Sequence, residues 1–172
     1  MVYNAALKAF LPTLTELKTI NFGGHFASDS GWNAFATAPY TVYGDMIIDN
    51  LTFNAVTKNG ALTFNTSVNR FKKGTSLAVF STNLDGSIQN NNLDFTLNIK
   101  DSKSINKYTV SGLLSQPSLN NYSFSLKPDN LLLNYNKWSV SNNNSIQYFN
   151  KDITANNFVL MQGSQELSLN TI

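Results

Sequence analysis

Residues 50–69 read NLTFNAVTKNGALTFNTSVN, with Asn59-Gly60 set between two runs in which apolar and polar residues alternate. Asn-Gly supplies the positive φ that a type I′ turn needs at both central positions, so the two runs are expected to fold back as a hairpin. A two-residue loop pairs Lys58 with Ala61. Counting outward then places Leu51 opposite Val68, Phe53 opposite Thr66, Ala55 opposite Phe64 and Thr57 opposite Leu62 on one largely apolar face. The other face pairs Asn50 with Asn69, Thr52 with Ser67, Asn54 with Asn65 and Val56 with Thr63. The turn chemistry and the alternation thus agree on a hairpin that is wet on one side only.

The same one-sidedness continues downstream. Leu93, Phe95, Leu97 and Ile99 alternate with Asp94, Thr96, Asn98 and Lys100, and after a polar turn the alternation resumes at Tyr108 and Val110, followed by Leu114. Tyr122, Phe124 and Leu126 alternate with Ser123, Ser125 and Lys127. The turn residues Lys127-Pro128-Asp129-Asn130 then lead into Leu131, Leu133 and Tyr135. Further strand patterns lie at 20–26, 41–47, 77–81, 138–140, 146–149, 158–161 and 167–169, while 89–92 and 142–144 read as loops. Leu7, Phe10, Leu11, Leu14 and Leu17 recur at helical spacing and predict one short N-terminal helix, interrupted at Pro12. Regular strands with hairpin-length connections make the chain an all-β antiparallel meander.

The chain has 172 residues, the length of a single domain. Only 13% of them are charged, about half the usual share of roughly 25%. Its polar surface comes instead from 26 Asn, 18 Ser and 15 Thr. The net charge is +2 and, apart from Arg70, Lys72 and Lys73, the basic residues are dispersed, which argues against nucleic acid as a partner. With no cysteine, disulfide frameworks, Cys-based zinc sites and thiol nucleophiles are excluded. The start MVYNAALKAF lacks a signal-peptide pattern. The alternation runs almost to the final SLNTI, so residues 1–172 are expected to be one β-rich fragment of a longer protein, with Met1 an added start.

Residues that could carry chemistry are few. The lone His25 follows Gly23-Gly24 with no serine or carboxylate motif beside it, so it is read as structural. Asp45 and Asp49 are four apart, a weak metal or carboxylate-pair pattern better explained as solvated loop carboxylates. No P-loop, GxSxG, HExxH or GxGxxG occurs, and neither enzymatic activity nor a cofactor is expected. The sequons at Asn50, Asn65, Asn121 and Asn143 are no more than the roughly five that chance gives at this composition. Trp32 and Trp138 could stack on sugars but suit core or strand-edge positions better. What remains is the shared apolar face. A second layer could cover it as a closed β-sandwich, the commoner solution for such a pattern, or it could line a trough for acyl chains, where each buried methylene is worth about 0.8 kcal/mol.

Two stretches carry a resemblance. Residues 7–28, LKAFLPTLTELKTINFGGHFAS, with Phe10-Leu11-Pro12 ahead of a Gly-rich strand, resemble a recurring segment of TamB/AsmA-like envelope proteins of the Bacteroidota type. Residues 122–170 are similar to a further pattern of that family through Pro128, Asp129, Leu131, Trp138, Val140, Asn144, Ile146, Asn157, Phe158, Leu160, Gly163, Gln165 and Leu167. The resemblance implies a periplasmic rod, anchored at the inner membrane in the full-length protein, whose sheet curls into an open trough and moves phospholipid between membranes. It also implies an Omp85-type outer-membrane barrel as a partner of the full-length protein. On that basis Leu93, Phe95, Leu97, Ile99, Tyr108, Val110, Tyr122, Phe124, Leu126, Leu131 and Leu133 are expected to form an apolar floor for phospholipid acyl chains, with no metal and no catalytic group. The alternatives are a closed β-sandwich that binds carbohydrate or mediates adhesion, and a structural spacer.

Overall fold

Residues 9, 11–27, 31–75 and 77–171 are described by the structure, a computed structural model. Its strands are β1 (Leu14–Leu17), β2 (Asn21–Ala27), β3 (Gly31–Tyr43), β4 (Met46–Lys58), β5 (Ala61–Lys73), β6 (Leu77–Gln89), β7 (Asn92–Lys100), β8 (Asn106–Ser118), β9 (Asn121–Leu126), β10 (Leu131–Leu133), β11 (Asn136–Val140), β12 (Ser145–Phe149), β13 (Asp152–Asn156), β14 (Phe158–Gln162) and β15 (Gln165–Leu169). They form one open antiparallel sheet that does not close into a barrel. The fifteen strands make eleven courses, because β1 and β2, β9 and β10, β11 and β12, and β13 and β14 are each one course broken midway. Strands β3 to β6 and β8 have 13 residues each, which makes them about 44 Å long.

Left-handed asparagines turn the chain. Both central residues have positive φ at Asn59-Gly60 (52° and 74°), Asn90-Asn91 (49° and 60°), Asn134-Tyr135 (50° and 70°) and Asn150-Lys151 (51° and 75°). These are the I′ turns whose twist suits a hairpin, and Asn tolerates this region better than most residues. The β4–β5 ladder has the expected register, from Lys58↔Ala61 through Ala55↔Phe64, Phe53↔Thr66 and Leu51↔Val68.

A line of irregularities crosses the sheet beyond these pairs. Pro39, Asn50 (φ 54°), Asn69 and Ser81 (φ 36°) fall between paired positions, and the registers of β6–β7 and β7–β8 shift at the same level. Pro39, which has no N–H to give, sits where β3 exchanges one neighbour, β2, for the other, β1. Bulges concentrate twist and bending. The ion pair Arg70–Asp49, 2.6 Å, lies directly beyond this line.

The sheet has one layer along most of its length. Among the described residues no side chain is fully buried, and the buried apolar residues are few. The accessible surface of 11423 Å² exceeds the roughly 8,400 Å² expected of a compact 19.0 kDa monomer. The closed sandwich is therefore not the architecture. One small core exists near the C-terminal end, where Leu126, Leu131, Val140, Phe158 and Leu160 are buried together and Val110, Phe124, Leu133, Trp138 and Ile146 pack around them.

Some local expectations are corrected. Leu7 and Phe10 of the proposed N-terminal helix lie outside the described residues, but its second half is strand: the chain turns at Leu11–Thr13, and Leu14–Leu17 pairs with β3. Edge pairing outweighs a helical apolar spacing only a few residues long. The 41–47 run is split by the Gly44-Asp45 turn, Tyr135 lies in a turn rather than a strand, and β13 forms where no strand was expected. The 77–81 strand continues to Gln89.

Three strand glycines are held open for aromatic rings: a Cβ at Gly23 would lie 2.8 Å from the Phe35 ring. A Cβ at Gly86 would overlap the Phe64 ring, and one at Gly112 would lie 2.9 Å from Phe95 Cζ and 3.0 Å from Phe124 Cε2. Rings laid over glycines in this way restore cover that the glycine lacks. In open space Gly→Ala would stabilise by about 0.4–1 kcal/mol. Gly86→Ala should instead destabilise by about 1–3 kcal/mol through overpacking, and adding Phe64→Leu should recover part of the loss in urea unfolding.

Candidate functional site: an apolar sheet face

Cross-strand partners share a face, so the ladders determine which side chains lie together. One transverse row runs Ala36, Phe53, Thr66, Leu84, Leu97 and Val110. The next runs Ala34, Ala55, Phe64, Gly86, Phe95, Gly112 and Leu126, and a third runs Leu62, Ile88, Leu93, Leu114, Phe124 and Ile146. The apolar residues of many strands thus form one continuous surface. Its aromatic rings are neighbours: Phe95 stacks on Phe124 at 6.3 Å between centroids, Tyr122 meets Tyr148 at 6.3 Å, and Phe124 meets Phe158 at 6.4 Å.

All eleven residues expected to line the floor fall on this face, but they divide into two environments. Leu126 and Leu131 are buried in the C-terminal core, with Val110, Phe124 and Leu133 packed against it. Leu93, Phe95, Leu97, Ile99 and Tyr108 are half-buried, and Tyr122 is exposed. Sequence reasoning left out Leu84, Ile88 and Ile146, which share these rows. A two-residue turn at Asn90-Asn91 would have assigned Ile88 and Leu84, since they face Leu93 and Leu97.

The opposite face is polar and bonded to itself. Thr52 and Ser67 hydroxyls are 2.7 Å apart, Asn65 Nδ2 donates to Asn83 Oδ1 at 2.9 Å and to Asp85 Oδ1 at 2.6 Å, Thr96 and Ser111 hydroxyls are 2.9 Å apart, and Thr109 Oγ1 donates to Asn98 Oδ1 at 2.9 Å. Lys127 Nζ pairs with Asp94 at 2.5 Å. Neutral side chains thus satisfy one another here, which is how a sheet with so few charges keeps a wet side. In the 141–144 loop Asn144, 4% exposed, stands in for a missing strand residue: its Oδ1 accepts from Leu126 N and its Nδ2 donates to Leu126 O, both at 2.8 Å.

The candidate chemical groups are not brought together. His25 is exposed on β2, and its backbone N–H donates to Asn33 Oδ1 at 3.1 Å. Asp49 is bound by Arg70, and Asp45 lies in the Gly44-Asp45 turn. No group of three His, Asp or Glu capable of holding a metal occurs among the described residues. Trp138 packs on the C-terminal core, and Trp32 faces Phe26 across β2–β3.

Asp101 and Tyr135 are the perturbed titratable pair. Asp101 Oδ1 accepts from Ile105 N at 3.0 Å and Lys103 N at 2.8 Å, and Oδ2 accepts from Tyr135 OH at 2.8 Å. The Ile105 backbone bond, then the Tyr135 bond, hold the Asp101 carboxyl below its ordinary value, and the Asp101 carboxylate raises the Tyr135 phenol. The Asp101 contribution to stability should be present above the unfolded carboxylate pKa of about 3.9 and fade as pH falls through the lowered folded value. That of Tyr135 should be present below about pH 10 and fade as pH rises through its raised folded value. Tyr135→Phe should bring the Asp101 carboxyl back toward its ordinary value in an NMR titration and flatten the alkaline loss of stability.

Asn144→Leu should cost about 1–3 kcal/mol in chemical unfolding, because it strands the buried N–H and C=O of Leu126. No protein-family model, curated protein or solved structure matches this chain.

Proposed function

We propose that this chain is a non-catalytic lipid-binding segment of a periplasm-spanning protein that carries phospholipid between the inner and outer membranes along its apolar face. The observation that carries the reading is the apolar face itself, in register across β3 to β9 and, among the described residues, without a second layer over it. Acyl chains are the natural cover for such a surface. They need no directional chemistry, and each methylene removed from water contributes about 0.8 kcal/mol. Leu62, Phe64, Leu84, Leu93, Phe95 and Leu97 form the open part of the floor, and the core around Leu126 and Leu131 closes its C-terminal end. Headgroups stay in water. The weakly charged surroundings suit passage of anionic headgroups, because the basic residues are dispersed apart from Arg70, Lys72 and Lys73, and Arg70 is paired with Asp49.

The periplasmic setting, an inner-membrane anchor and an Omp85-type barrel as partner of the full-length protein follow from the TamB/AsmA resemblance and are part of the same proposal. Lipid bound to the purified protein tests it, through native mass spectrometry with organic extraction. Phospholipid should co-purify, and Leu97→Asp should lose it while circular dichroism still reports strand. Asn54→Asp, exposed on the opposite face with no side-chain bond to disturb, should keep it. A folded protein that is lipid-free and takes up no added phospholipid would overturn the reading.

A further inference from the structure

The outermost course at the N-terminal side is made of β1 and β2. Among the described residues β2, NFGGHFA, has a strand neighbour on one side only, β3. Its His25 N–H turns inward to Asn33 Oδ1. Backbone groups of successive strand residues point to alternate sides, so the N–H and C=O of Phe22, Gly24 and Phe26 point outward along the open edge. Phe22 and Phe26, 80% and 76% exposed, stand on the apolar face, across from Ala36 and Trp32. This strand carries neither proline nor a charged residue, the usual guards of an edge. The opposite edge, β15, has Glu166.

Strand parity decides which partner fits. Eleven alternating courses leave β2 and β15 running in the same direction, so joining one copy's β15 to the next copy's β2 by translation would make a parallel junction. A two-fold axis normal to the sheet instead brings like edges together antiparallel and keeps the apolar faces on the same side. The sequence of β2 matches that axis. Phe22 and Phe26 are equidistant from Gly24, so centring the axis there puts each Phe22 opposite the other copy's Phe26 and gives Gly24 a shared hydrogen-bonded pair. We infer that β2 is a self-complementary edge through which two copies of this chain associate in a two-fold dimer, extending one apolar face across both. Four phenylalanines that can each bury about 150–250 Å², with two strand backbones, amount to roughly 1,000 Å², the lower end for a specific interface. The association is therefore concentration-dependent.

The inference rests on β2 and not on lipid binding, and it is tested on detergent-washed, lipid-free protein. Sedimentation velocity over a wide concentration range should show the monomer boundary giving way to a dimer. Phe22→Lys with Phe26→Lys should leave the monomer alone at every concentration, while Leu167→Lys in β15 should change nothing. Register is read by cysteines, which the chain otherwise lacks. Phe22→Cys and Phe26→Cys proteins, mixed and oxidised, should give a disulfide-linked dimer that neither gives when oxidised alone. A monomer throughout, a dimer that survives the double lysine variant, or cross-links that do not depend on mixing would each overturn it.

Discussion

Register is the constraint on which the rest depends. In a strand the side chains alternate with period two, so a slip of one residue would exchange the entire apolar and polar sets. The two-residue turns prevent it. Asn59-Gly60, Asn90-Asn91, Asn134-Tyr135 and Asn150-Lys151 each hold two consecutive residues in the left-handed region, which fixes how the flanking strands meet. Because the same parity passes from β3 through β9, Ala36, Phe53, Leu84 and Leu97 reach the same side although they are far apart in sequence. The abundance of asparagine thus has two uses, left-handed turns and the polar face.

A single layer has to be stabilised differently from a two-layer domain. Its strands are held chiefly by neighbours in the sheet: backbone ladders, rings laid over Gly86 and Gly112, and side-chain hydrogen bonds across the polar face. Only near the C-terminal end does the chain gather a small core, and there the courses are interrupted. Asn144 replaces strand bonds lost at that break, and the chain crosses from β13 to β14 through the left-handed Asn157. Buried polar groups fully satisfied in this way specify one arrangement of the break.

The single layer that the described residues form connects the fold to the proposed function. Leu93, Phe95 and Leu97 remain half-exposed, whereas Leu126 and Leu131 meet partners within the chain. Leu126 alternates with polar residues just as Leu93, Phe95 and Leu97 do, so the pattern did not separate the two environments. The candidate chemical residues are dispersed: His25 on an edge, Asp49 paired with Arg70, Trp138 packed on the core. An apolar surface offers binding without bond-making, which is what a carrier of acyl chains requires.

The sequence by itself determined the all-β class, the hairpin register from Leu51↔Val68 to Lys58↔Ala61, though the expected Asn50–Asn69 pair is lost at the left-handed Asn50, and the common face of the alternating apolar residues within 93–133, because turn chemistry and period-two alternation act between near neighbours. It misled at Leu14–Leu17, where helical spacing yields to a pairing with β3 from 29 residues further along the chain, at Leu14↔Tyr43. Only the tertiary structure decided whether a second layer covers the apolar face, which of its residues enter the C-terminal core, and that β2 has one strand neighbour, β3, among the described residues. The alternating pattern of a covered sheet and of an uncovered one is the same. Burial depends on what stands about 10 Å above the face, and no local pattern records that.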